Sequence, residues 1–162
     1  MFSPALLALA KQVLDEARAK GLRLATAESC TGGLICALLT EFPGASTVVE
    51  RGYVAYSNRA KTAYLHVPPE LIAAKGAVSE EVARLMAEGA VLRSGVQLAV
   101  AVTGIAGPDG GTVEKPVGLV HVAAAREGRE TLHEEHRFGD IGRSEVRLNT
   151  VEAALKLLRQ LI

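Results

Sequence analysis

Gln97 to Thr103 reads Gln-Leu-Ala-Val-Ala-Val-Thr, an apolar run without polar alternation. Such a run predicts a strand covered on both faces, as in a parallel or mixed sheet sandwiched by helices. A second short apolar run, Leu22 to Ala27, predicts another buried strand. Both runs end in glycine-bearing turns: Glu28-Ser29-Cys30-Thr31-Gly32-Gly33 after the first, and Gly104-Ile105-Ala106-Gly107-Pro108 after the second. In α/β sheets ligands gather at the carboxyl ends of strands, so the two turns can face one pocket.

The rest of the chain fits around these strands. Pro4 to Lys20 predicts a helix, with Ser3 as its cap and Leu6, Leu7, Ala10, Val13, Leu14 and Ala17 on one face. A second helix is expected from Leu34 to about Phe42, then a strand over Thr47–Ser57 rich in β-branched and aromatic residues. Short helices are expected over Asn58–Tyr64 and from Pro68-Pro69 to near Gly76, and a longer one from Ser79 to Ser94. After the glycine- and proline-rich loop Gly104–Pro116, a strand is expected over Val117–Arg126 and an edge strand over Glu130–Phe138. Asp140 or Ser144 is expected to open a last helix reaching Ile162. Strand–helix alternation followed by a hairpin-like pair and a helix predicts a single three-layer α/β/α domain with a mixed central sheet.

Composition excludes several function classes. The chain has 162 residues, enough for one domain with a sizeable core. Lys plus Arg balances Asp plus Glu at 18 each, so net charge offers no attraction to nucleic acid or an anionic membrane. Trp is absent and aromatics make up only 4%, which argues against base-stacking platforms. No apolar run has the length of a membrane span, and charges interrupt Met1 to Lys20, which is unlike a signal peptide. Cys30 and Cys36, the two cysteines, match no metal-ligand spacing and read as buried thiols in a reducing compartment.

Ser29 sits where a strand gives way to a helix, beside amides that have no intrahelical partner. That arrangement serves acyl transfer, with a hydroxyl nucleophile and donors for an oxyanion, or it serves phosphate binding. It equally serves plain helix capping by Ser29 and Thr31, with Gly32 and Gly33 forming a tight turn. A serine nucleophile needs a base, and no Asp-His pairing is evident. His66, His121, His133 and His136 lie away from the glycine turns. Lys61 is the candidate base. In the first turn of its helix the dipole favours the neutral amine, and so does burial beside Ala60 and Ala63; its alternative is a solvated surface position. Tyr56 can relay a proton, stack on a planar ring, or simply fill the core. Arg143 and Arg147, four apart on one helix face, can hold a carboxylate or phosphate, or pair with Asp140 and Glu145.

Taken together, these stretches resemble one family. Glu28–Gly33, Tyr53-Val54-Ala55-Tyr56-Ser57-Asn58 with Lys61, Gly76–Ala83, Val102–Pro108, Lys115-Pro116-Val117-Gly118 and the Arg143/Arg147 helix start match it in order. The match is to the CinA C-terminal domain family, which includes nicotinamide mononucleotide deamidases, and it covers nearly the whole chain. The family's longer members carry a separate N-terminal domain, and a chain of this length resembles the stand-alone form. One departure stands out: Ile141 and Gly142 separate Asp140 from Arg143, where the family places Gly-Asp directly before the arginine.

The resemblance implies an amidohydrolase that converts nicotinamide mononucleotide and water to nicotinic acid mononucleotide and ammonia, returning pyridine to NAD synthesis. It implies Ser29 as nucleophile, Lys61 as base and Tyr56 as a helper. Around the substrate it places Cys30, Thr31, Gly32, Gly33, Thr103, Gly104 and Arg143. It implies no metal and no cofactor, a cytoplasmic location and a homodimer. The alternative function is a non-catalytic nucleotide-binding module, since glycine loops and arginines serve binding alone. A DNA-binding role finds no basic patch in the sequence.

Overall fold

In the computed structural model, which describes residues 2–162, Ser3 caps the first helix, accepting a hydrogen bond from the Leu6 amide at 3.2 Å. That helix, α1, spans Pro4–Ala19 with Pro at its first position, where the missing N–H costs nothing. There follow β1 (Leu24–Glu28), α2 (Leu34–Leu39), a short 3-10 turn (Ala45–Thr47), β2 (Val49–Val54), α3 (Asn58–Leu65), α4 (Pro69–Lys75) and α5 (Glu80–Ser94). The chain closes with β3 (Leu98–Gly104), β4 (Leu119–Arg126), β5 (Leu132–Arg137) and α6 (Arg143–Arg159).

Several boundaries differ from the sequence reading, each for a local reason. α2 stops at Leu39 rather than near Phe42, and the Thr40 hydroxyl turns back onto the Cys36 and Ala37 carbonyls. β2 starts at Val49 because Gly44, at φ +81°, opens the 3-10 turn over the residues before it. β4 starts at Leu119, not Val117, since Gly118 adopts φ +89° and donates its amide to the Ile105 carbonyl. α6 starts at Arg143 after Gly142 at φ +93°, without the side-chain cap expected from Asp140 or Ser144.

The strands form one sheet in the order β2-β1-β3-β4-β5. β1 runs parallel to β2 and β3, whereas β4 is antiparallel to both β3 and β5. The sheet is therefore mixed, as expected. One face packs Leu24, Leu98, Val100, Val102, Val120 and Val122 against α1, α2 and α6. The opposite face presents small side chains, Ala25, Ala27, Ala99, Ala101, Ala123 and Ala125, to α3, α4 and α5. Alternation along each strand sends neighbours to opposite layers, so both faces are covered and the domain has three layers. Among the described residues no helix is long and apolar enough to cross a membrane.

Candidate active site

The parallel strands β1, β2 and β3 end on the same edge of the sheet, and strand order reverses around β1. This is the switch point at which a cleft forms. Ser29 directly follows β1, and its amide still bonds the Val102 carbonyl at 3.1 Å. Beneath it, the fully buried Glu28 carboxylate accepts hydrogen bonds from the Thr26 and Thr31 hydroxyls and from the amides of Gly33, Ile35 and Cys36. Glu28 thus replaces a capping side chain at the start of α2, where Gly33 at φ +101° has none. Most of the donors that the sequence offers to an oxyanion or phosphate are consumed inside the protein. The Gly32 amide is taken as well, by the Ser29 carbonyl at 3.1 Å. Among the described residues, the Cys30 and Thr31 amides alone in this turn donate to no protein acceptor.

Lys61 comes from the opposite layer. Ser57 caps α3 by accepting from the Ala60 amide, so Asn58 is the first helical residue and Lys61 the fourth. Its side chain runs inward and is only 1% exposed. Lys61 Nζ lies 2.9 Å from Ser29 Oγ and also donates to the Ala55 carbonyl at 3.0 Å and the Tyr56 carbonyl at 3.2 Å. Among the described residues it has no ion-pair partner. Burial, uncompensated by a carboxylate, pushes the amine below the ordinary lysine range, which favours the neutral form a base needs. The neighbouring Cys30 thiol goes the other way, pushed up to about 12 by burial, so it stays protonated at neutral pH and is no rival nucleophile.

Ser29, Cys30, Tyr56, Lys61, Thr103, Gly104 and Arg143 all line one cavity of about 220 Å³. The Thr103 hydroxyl bonds the Ala77 carbonyl at 2.9 Å and so ties β3 to the cavity wall. Gly104 is required by close approach: a Cβ there would sit 2.6 Å from Val120 Cγ2 and 2.9 Å from the Leu119 carbonyl. Arg143 spans the mouth, donating to the Gly107 carbonyl at 2.9 Å and the Tyr56 hydroxyl at 3.2 Å. Tyr56 is 60% exposed and meets Lys61 through its backbone carbonyl, so its hydroxyl stands at the rim rather than between serine and lysine. Thr31, Gly32 and Gly33 do not line the cavity. Their role is to build the turn, with Thr31 Oγ1 and the Gly33 amide bound to Glu28.

Asn58, Ala77, Val78 and Ala106 also line the cavity; they lie in the stretches that carry the family resemblance but had no site role assigned from the sequence. Three are small or apolar wall residues without a chemical signature; Asn58 looked like a cap. None of the four histidines reaches the cavity. His121 is buried against His133, with ring nitrogens 3.0 Å apart, and burial lowers the pKa of both. A larger apolar groove between α3 and α4, about 400 Å³, holds no nucleophile–base pair.

The CinA C-terminal domain model matches residues 6–162. The chain belongs to that family. A CinA-like protein of Anaeromyxobacter dehalogenans is 53% identical over 148 residues, covering 91% of this chain and 36% of the relative. A CinA-like protein of Geobacter is 54% identical over 142 residues, covering 88% of this chain and 34% of the relative. The chain thus spans about a third of the length of the curated relatives it matches. Among solved structures, the competence/damage inducible protein CihA of Agrobacterium tumefaciens superposes with a TM-score of 0.97 at 51% identity, covering 99% of this chain and 98% of that one. A CinA superfamily protein of Escherichia coli superposes with a TM-score of 0.92 at 31% identity, covering 100% of this chain and 94% of that one.

Proposed function

We propose that this CinA-family domain is an amidohydrolase acting on nicotinamide mononucleotide, with Ser29 as nucleophile and Lys61 as base. The observation that carries this reading is a buried, ion-pair-free amine 2.9 Å from a serine hydroxyl in a cavity at the sheet's switch point. Ser-Lys pairs are an established variant of the serine–base arrangement. Burying a lysine that has no ion-pair partner costs stability, and an amine held neutral beside the Ser29 hydroxyl is what a base requires.

Lys61 takes the Ser29 proton as Oγ attacks the carboxamide carbon. The C–N bond then breaks, and the proton on Lys61 leaves with the amine as ammonia. Lys61 next deprotonates a water that attacks the acyl-serine, the C–Oγ bond breaks, and Ser29 recovers its proton as nicotinic acid mononucleotide departs. The cavity, about 220 Å³, lies below the roughly 300–1,000 Å³ usual for larger ligands. It suits the pyridine ring and its carboxamide, leaving ribose and phosphate at the mouth beside Arg143. No carboxylate lines it, so no ion pair there holds Lys61 protonated.

Ammonia release from nicotinamide mononucleotide tests the reading. Ser29→Ala is expected to abolish it while leaving the thermal unfolding transition intact. Turnover by that variant within tenfold of the parent overturns the assignment of the nucleophile.

A further inference from the structure

Arg147 has no place in the cavity lining, yet it is the side chain that grips the nucleophile's turn from outside. It projects from α6 one turn after Arg143, and the two part company: Arg143 goes to the mouth and Arg147 to the turn. Arg147 Nε donates to the Cys30 carbonyl at 3.1 Å and Nη2 to the Thr31 carbonyl at 2.9 Å. These are charge-assisted bonds in a planar fork, which fixes two successive peptide planes together. In a trans peptide the N–H points opposite to the C=O. Holding the Thr31 carbonyl toward Arg147 keeps the Gly32 N–H of the same peptide in its bond to the Ser29 carbonyl, and the Cys30 N–H lies on the opposite side of the Ser29–Cys30 peptide.

The other amides in the turn are already committed, to Ser29 or Glu28. The Cys30 and Thr31 N–H groups are what remains, and Cys30 is the residue immediately after the nucleophile. In the serine hydrolases with a strand-to-helix nucleophile turn, that same position supplies an oxyanion donor. We infer that Arg147 is a positioning residue that holds the Cys30 amide as an oxyanion donor for attack by Ser29. It does so by clamping the carbonyls on the far side of the same turn. This inference rests on Ser29 being the nucleophile proposed above.

The test compares the wild type with Arg147→Met, which removes the fork, and Arg147→Lys, which keeps the charge but not the two-point grip. Pyridine-3-boronic acid is the probe, since its adduct with a serine is tetrahedral and places an oxygen where the oxyanion develops. Loss of one oxyanion donor costs about 10²–10³ in kcat. Arg147→Met is expected to lower kcat for nicotinamide mononucleotide roughly 10²-fold with KM changed less than about threefold, and to weaken boronate binding by a matching factor. Arg147→Lys is expected to fall between. In wild type the Cys30 amide proton shifts downfield on adduct formation, and in Arg147→Met that shift is lost while the product's affinity is kept. A wild-type level of kcat and boronate affinity in Arg147→Met overturns the clamp, and so does an equal loss of product and boronate affinity, which marks general loosening of the fold. A wild type that forms the adduct but releases no ammonia from nicotinamide mononucleotide defeats the substrate reading alone. A wild type that forms no adduct defeats both.

Discussion

At the scale of single residues, the site depends on two buried charges treated in opposite ways. Glu28 is fully buried and surrounded by five donors, three of them backbone amides, so its carboxylate is well accommodated. Lys61 is equally buried but meets only two carbonyls and a hydroxyl, and burial lowers its pKa. In the proposed hydrolysis Lys61 works in its neutral form. Activity is therefore expected to be low at acid pH and to rise as pH climbs through a pKa below the ordinary lysine range, near 10.4. A profile of kcat/KM against pH checks this. A rising limb centred at or above the ordinary lysine value means the amine is not desolvated during catalysis. Ser29 and Lys61 were legible as candidates from local patterns, a serine in a strand-to-helix turn and a lysine at the start of a helix, with capping and a solvated position as their alternatives. That the two side chains meet is a long-range contact that only the fold shows. The parts played by Glu28 and Arg147 were not legible. Glu28 looked like an ordinary turn residue, and only folding shows that its side chain occupies the donors of α2. Arg147 looked like half of an anion-binding pair with Arg143, and only the path of α6 separates them.

At the scale of elements, the position of Lys61 is set by how closely α3 can approach α5. Gly89 lies in α5, and a Cβ there would come to 2.1 Å from the Leu65 carbonyl at the end of α3. That contact is with backbone, which cannot rotate away. Gly89→Ala is expected to gain up to ~1 kcal/mol in helix propensity but to lose more through overpacking. With overpacking at about 1–3 kcal/mol, a net loss of up to ~2 kcal/mol is expected. Since α3 is only eight residues long, its displacement carries Lys61 along, so kcat is expected to fall as well. Denaturant unfolding and ammonia release measure the two effects, and a variant as stable and as active as the parent shows that α3 does not depend on this contact. Element identities were readable from apolar runs and from the Ser3 cap, which accepts from an amide as expected; Ser57 and Ser79 cap their helices in the same way. Boundaries were less readable. They move where a glycine takes a left-handed φ, as at Gly44, Gly118 and Gly142. The sequence shows a glycine but not the sign of its φ.

At the scale of the whole molecule, residues 29, 61, 103 and 143 meet because three parallel strands end together and α6 returns across their edge. The layered fold was legible from the apolar run at Gln97–Thr103 and the order of elements. The remaining wall, Ala77, Val78 and Ala106, was not, since loops assemble it and its side chains carry no chemistry. Such a site burdens the fold that holds it. The pKa of Lys61 is depressed in the folded chain relative to the unfolded chain. Between the two values the unfolded state binds more protons, so stability rises with pH across that window. The penalty for the buried amine is absent above the unfolded pKa and sets in as pH falls toward the folded one. Lys61→Met, which keeps an unbranched side chain but cannot be protonated, escapes this dependence. Melting temperatures of the two proteins, taken from pH 7 to pH 10, are therefore expected to move in favour of the wild type as pH rises, whatever their difference at pH 7. Other groups titrate alike in both and cancel in the comparison. A difference that stays constant across the range would mean that Lys61 has the same proton affinity folded and unfolded. In that case burial would not supply the neutral amine on which the proposed hydrolysis depends.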